Sequence, residues 1–130
     1  MKIVCISQVY WPDTASVAQH LVDLLQTLSD HGHDVTVITS RHNYEHPEII
    51  YPAVEYCNGV RIYRIFNTGF GKRTKLGRLA DFLSFNVLIM CRLLALRRSA
   101  CDVMLGLTSP PLLSYIGIKI ARMKKIRFVY

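Results

Sequence analysis

The sequence predicts an α/β domain built on a parallel sheet with flanking helices, left incomplete at its C-terminal end. Three observations lead there. Short apolar runs alternate with helical periodicities along the 130 residues. The first two runs and the helix between them fit a βαβ unit, whose crossover is right-handed almost without exception. The chain then ends inside another apolar run, Ile126 to Tyr130, which would need neighbours and covering helices to bury both faces. A single core fits this length, so residues 1–130 read as one truncated domain.

Lys2 to Ser7 is the first strand, stopped by Tyr10-Trp11-Pro12-Asp13, a turn that no helix runs through. Ala18, Leu21, Val22, Leu25 and Leu28 then recur at helical spacing, with Gln19, Asp23, Gln26 and Asp30 on the other face. Ser16 and Gln19 form a candidate capping box, and Gly32 supplies a left-handed stop. Asp34 to Ser40 is the second buried strand. From Arg41 to Asn58 strand character is weak, Asn58-Gly59 is a turn, and Val60 to Phe66 reads as an outer strand. A basic, glycine-containing loop from Gly69 to Gly77 leads into a long helix from about Leu76 to Arg98. Asp102 to Leu107 is a further strand, followed by Thr108-Ser109-Pro110-Pro111. Ser109 is placed to cap the next helix, which buries Leu113, Ile116, Ile120 and Ala121 and turns Lys119, Arg122 and Lys124 outward.

Charge divides the chain. Up to Gly59 there are seven acids and two bases; from Val60 onward there are fourteen bases and two acids. The second half therefore expects an anionic partner, whether membrane surface, phosphorylated substrate or nucleic acid, unless the bases form only a solvated face. Nucleic acid is the poorer fit, because the basic loop interleaves only Phe70 and no binding motif is present. Cys5, Cys57, Cys91 and Cys101 show no paired spacing and read as reduced thiols. No histidine has a cysteine or acid at ligand spacing, so no metal site is expected. The N-terminal run is too short for a signal peptide, which places the chain in the cytoplasm.

Ligands of open α/β sheets bind beyond the carboxyl ends of the strands. That rule selects the loops Gln8 to Ser16 and Thr108 to Leu112, both of which open onto helix N-termini. Neither a dinucleotide G-x-G-x-x-G nor a G-x-x-x-x-G-K-[ST] phosphate loop is present. Thr14, Ala15 and Ser16 are small enough to admit a ligand to the backbone, or simply to allow tight helix–strand packing. Asp13 is a candidate general base or hydroxyl ligand, although an Asp after Pro12 is more commonly a turn former than a catalytic group.

Lys2 through Asp13, the run His31-Gly32-His33-Asp34-Val35, the segment Tyr56-Cys57-Asn58-Gly59-Val60, and Asp102-Val103-Met104-Leu105 leading to Ser109-Pro110-Pro111 occur in a familiar order. Along essentially its whole length the chain resembles the N-terminal domain of family 4 glycosyltransferases that build bacterial surface polysaccharides, including lipopolysaccharide O-antigen. The resemblance implies a GT-B architecture of two Rossmann-like domains facing across a cleft. It implies a retaining, metal-independent transfer from a nucleotide-sugar to a glycan or lipid-linked sugar acceptor. The donor would bind a C-terminal domain that this chain lacks, so the fragment is expected to be inactive alone and to need no cofactor of its own. Pro12, Asp13, Thr14, Ser16, Ser109 and Pro110 become the expected acceptor contacts, with no catalytic residue assigned. One departure concerns the first loop, where Thr14-Ala15-Ser16 replaces the family's glycine pair.

The long helix has two open readings. Asp81 and Arg92 interrupt its apolar stretch, and each costs about 2.5–3.5 kcal/mol at a membrane centre, which argues against a span. It is then either an ordinary sheet-covering helix or a monotopic one lying on the inner face of the cell membrane. In the second case Phe82 and Phe85, with Leu88 or Ile89, would touch lipid. Lys72, Arg73, Lys75, Arg78, Arg97 and Arg98 would meet anionic headgroups. The rival to an enzyme is a membrane-associated, non-catalytic α/β module that docks onto a separate domain.

Overall fold

The computed structural model describes residues 1–11, 16–43, 46, 48–66, 74–107 and 111–129. Its strands are β1 (Lys2–Ile6), β2 (Asp34–Ser40), β3 (Val54–Cys57), β4 (Val60–Ile65), β5 (Val103–Gly106) and β6 (Arg127–Val129). The helices are α1 (Ser16–Asp30), α2 (Lys75–Ala95) and α3 (Pro111–Lys124), with a short 3-10 turn at Arg98–Ala100. Among the described residues the strands form one sheet in the order β3-β4-β2-β1-β5-β6. All neighbours are parallel except β3 and β4. This is a Rossmann-like α/β fold, as the alternation of elements predicts.

Side-chain alternation along the central strands sorts the core into two layers. Val4 and Ile6 of β1 and Ile38 of β2 meet Phe85, Ile89 and Leu93 of α2 and Leu113 and Ile120 of α3. On the opposite face Cys5, Val35 and Val37, with Val60 and Ile62 of β4, meet Leu21 and Leu25 of α1. One helix therefore covers one face and two helices cover the other.

The turns follow their sequence signals. Gly32 sits at φ +88°, and the amides of Gly32 and His33 close α1 onto the carbonyls of Ser29 and Leu28. Asn58 and Gly59 both have positive φ and link β3 to β4 as the two-residue hairpin that Asn-Gly favours. Thr74 caps α2 by accepting from the Gly77 amide at 3.0 Å. At its other end the Lys124 ammonium donates to the carbonyls of Leu94 and Leu96, so α3 closes the C-terminus of α2. A Cβ on Gly117 would lie 2.6 Å from the Phe128 ring and 2.9 Å from Ile6, and one on Gly106 only 2.4 Å from that ring. The two glycines thus form the slot in which Phe128 of β6 docks.

Two expectations need correction. The strand at Val60 is not the outer one, because β3 pairs along its free side. Phe85 and Ile89 are fully buried against the sheet and cannot face lipid, while Phe82 is half-buried. α2 is apolar around more than one of its faces, and the sheet takes up the one that carries Phe85, Ile89 and Leu93.

Candidate functional site

The sheet reverses its winding direction at β1. From there the chain steps to β2 and β4 on one side, then returns to place β5 and β6 on the other. The carboxyl ends of β1 and β5 are therefore immediate neighbours, with Ile6 paired to Gly106. The two loops selected from the sequence leave the sheet side by side at this switch point, where crevices of α/β sheets receive ligands.

The first loop is held at its root. The Ser7 amide donates to the Ile38 carbonyl at 3.1 Å, and the buried Ser7 hydroxyl donates to the Val9 carbonyl at 2.8 Å. Thr39 at the end of β2 donates through its hydroxyl to the Gln8 carbonyl at 3.1 Å. Tyr10 is buried against the α1 face, and Trp11 is partly exposed. On the far side of the loop, Ser16 is exposed at the first turn of α1. The root of the second loop is held too, since the buried Ser114 hydroxyl of α3 donates to the Leu107 carbonyl just beyond β5.

Arg64 is the residue that sequence reasoning missed. It falls on the inward row of β4 with Val60 and Ile62, and its side chain is 1% exposed. Its guanidinium donates from Nη1 to Glu55 Oε2 at 2.6 Å and to the Pro52 carbonyl at 3.1 Å, and from Nη2 to the Trp11 carbonyl at 2.8 Å. It also stacks 5.1 Å from the centre of the Tyr51 ring. One buried cation thereby ties β4, the strand before it and the root of the first loop together. The pair Glu55 and Arg64 lies cross-strand on one face, a signal that becomes readable once the Asn58-Gly59 turn sets the register.

Of the expected acceptor contacts, Ser16 is exposed at the start of α1. Pro12, Asp13, Thr14, Ser109 and Pro110 lie outside the described residues. Lys72 and Arg73 do too, as does the side chain of Arg98; Lys75, Arg78 and Arg97 are exposed. The titrating groups near the core are not poised for nucleophilic chemistry. Burial pushes the Cys5 thiol up to about 12 and the Cys101 thiol up to about 11, so both stay protonated near neutrality. Burial first, then proximity to Cys57 and Cys5, raises the Tyr10 phenol above its ordinary range, and Arg64 opposes that rise. Among the described residues no group of three His, Cys, Asp or Glu side chains is placed to hold a metal, and no helix is long and apolar enough to cross a membrane. Among the described residues, what the region offers is two loop roots anchored side by side at the carboxyl ends of β1 and β5, ahead of the N-termini of α1 and α3.

No protein-family model matches the chain, and no curated protein matches it. Among solved structures, the fold is similar to that of sucrose-phosphate synthase from Thermosynechococcus elongatus, with a TM-score of 0.58 at 14% identity. That alignment covers 97% of this chain and 31% of the synthase, so the chain spans about a third of the length of its structural neighbour.

Proposed function

We propose that this chain is the acceptor-side domain of a retaining glycosyltransferase that moves a sugar from a nucleotide-sugar to a lipid-linked glycan acceptor in surface-polysaccharide assembly. The observation that carries the reading is the match of nearly the whole chain to a third of a sucrose-phosphate synthase. A sucrose-phosphate synthase, by its name, makes a disaccharide phosphate, and that product requires a new glycosidic bond. The resemblance of the sequence motifs to family 4 glycosyltransferases is a separate support for the same chemistry.

In this reading the crevice between β1 and β5 receives the acceptor. Pro12, Asp13, Thr14 and Ser16 from one loop and Ser109 and Pro110 from the other position its hydroxyls. Ser7, Thr39, Arg64 and Ser114 hold the roots of those loops, which fixes the geometry without touching the substrate. In this reading the nucleotide-sugar binds a second domain facing the carboxyl edge of the sheet.

The test measures transfer of radiolabelled nucleotide-sugars to a membrane lipid extract. It compares this chain with one extended by the downstream coding sequence. Transfer by the extended chain alone is the expected result. No transfer by either, with both shown to be folded, would overturn the reading. A non-catalytic docking module would then take its place, a reading favoured by the unpartnered apolar stripe on α2.

A further inference from the structure

The outer surface of α2 carries apolar side chains that the fold does not use. Leu76, Leu79, Leu83, Val87, Met90 and Leu94 recur every three or four residues and are all exposed, from 38% at Met90 to 79% at Leu76. They form one stripe along the helix, about 27 Å from end to end at 1.5 Å per residue. The stripe lies outside the face that α2 presents to the sheet, which is made by Phe85, Ile89 and Leu93. Exposed apolar surface of this extent on a soluble domain marks a site of contact.

Charge says what kind of contact. The α2–α3 layer exposes Lys75 and Arg78 in the first turn of α2, Arg92 towards its end and Arg97 just past it, with Lys119 and Arg122 on α3. Asp81 is the only acid on either helix. Bases thus stand at both ends of an apolar stripe. A second copy of the chain would bring two such basic ends together, which like-charge repulsion opposes. A bilayer with anionic headgroups satisfies both parts at once: the acyl boundary takes the leucines and the headgroups take the bases.

We infer that α2 lies flat on an anionic lipid surface through Leu76, Leu79, Leu83, Val87, Met90 and Leu94, with Lys75, Arg78 and Arg97 in the headgroup layer. This deepens the glycosyltransferase reading, because α2 begins at the carboxyl edge of the sheet, where a lipid-linked acceptor would enter the crevice. Lipid binding is nonetheless measured without any sugar transfer, so either statement can fail alone.

The experiment is co-sedimentation of the 130-residue chain with vesicles of phosphatidylcholine and of phosphatidylcholine mixed with phosphatidylglycerol. The chain sediments with the mixed vesicles and not with the neutral ones. Replacing Leu79, Leu83 and Val87 together by serine weakens binding by about tenfold or more. Changing Lys75 and Arg78 to glutamine weakens it about fivefold for each base, and added salt does the same. Leu24→Ser, an exposed position on α1, leaves binding unchanged, and circular dichroism verifies that each variant is folded. Binding that ignores the three serines is purely electrostatic and overturns the inference. So does the absence of vesicle binding, or a concentration-dependent dimer that the serines abolish.

Discussion

The two faces of the sheet are covered by helices of different character. On one face α1 spends its apolar residues on the core. Leu21 and Leu25 are buried, and Leu24 is its one exposed large apolar side chain among the described residues. Its exposed charges, Asp23 and Asp30, are acidic, and no base lies between Lys2 and Arg41. On the other face α2 and α3 bury a comparable core and still expose Leu76, Leu83, Val87, Leu112, Tyr115 and Met123 among others, set in basic charge. Among the described residues, core formation accounts for the large apolar side chains of the first helix except Leu24, and for those of the other two only in part. The surplus on the second face is the surface that the proposed lipid contact would use, and the basic charge around it is what that proposal rests on.

The largest effect that tests this division is expected on the α1 face, at Arg64. Arg64→Met leaves Glu55 and the carbonyls of Pro52 and Trp11 without their donor. Glu55 is itself 30% exposed and regains water, which softens the loss. A destabilisation of about 3 kcal/mol is expected in urea unfolding, since removing one partner of a buried charge pair costs far more than the pair contributes. Vesicle binding per folded molecule stays the same, because Arg64 has no part in the α2 surface. A change of less than about 0.5 kcal/mol, the range of ordinary surface substitutions, would show that the guanidinium is not the tie between β4 and the first loop.

Arg64 also marks where the sequence was legible and where it was not. Strands β1, β2 and β5 and helices α1 and α3 could be read directly, because each combines a clear period with a capping or turn residue at its end. Gly32 gave the end of α1 and Asn58-Gly59 the start of β4, and both sites have the positive φ that the residues imply. β3 was hidden for a physical reason. It is a four-residue edge strand whose Val54 and Tyr56 face solvent, so no apolar alternation announces it. Without β3 there is no partner for Arg64, and an arginine in a strand reads as an outward residue. The choice between Phe85 and Leu83 as the exposed side of α2 was beyond the sequence too. Apolar residues run around much of that helix, and only the placement of the sheet decides which arc is covered. The two ligand loops were legible from the strand-end rule, and their adjacency followed only from the strand order.

Alkaline pH gives the next effect, and here the two faces should behave alike. Each holds a buried thiol: Cys5 on the α1 side, pushed up to about 12, and Cys101 on the α2–α3 side, pushed up to about 11. In the unfolded chain both thiols ionise near the ordinary value of 9.0. Above that pH the unfolded chain releases protons that the folded chain retains. Stability is therefore full below pH 9 and falls as pH rises towards 11 and 12, by about 1.4 kcal/mol per pH unit per thiol. The urea midpoint measured from pH 8 to 10 should decline accordingly, and Cys5→Ala and Cys101→Ala should each flatten the decline by a similar amount. Tyr10 adds to the slope only above about pH 10. A midpoint independent of pH would mean that these thiols reach water in the folded chain.

The smallest effect sharpens the account of α2 from within. Asn86 is 2% exposed on the inner side of this helix; its amide nitrogen donates to the Phe82 carbonyl at 2.7 Å, and its side-chain oxygen has no partner among the described residues. A buried carbonyl left unsatisfied costs about 1–3 kcal/mol, while an apolar side chain of similar size brings its own burial to the same place. Asn86→Leu should therefore stabilise the chain by about 1 kcal/mol in urea unfolding. It should leave vesicle binding unchanged, because residue 86 faces the sheet and not the exposed stripe. The contrast with Leu83, three residues earlier, is the informative part. There leucine to serine should cost less than about 0.5 kcal/mol of stability while contributing to the loss of lipid binding. If Asn86→Leu strengthened lipid binding, or Leu83→Ser unfolded the chain, the boundary between the core side and the contact side of α2 would lie elsewhere on the helix.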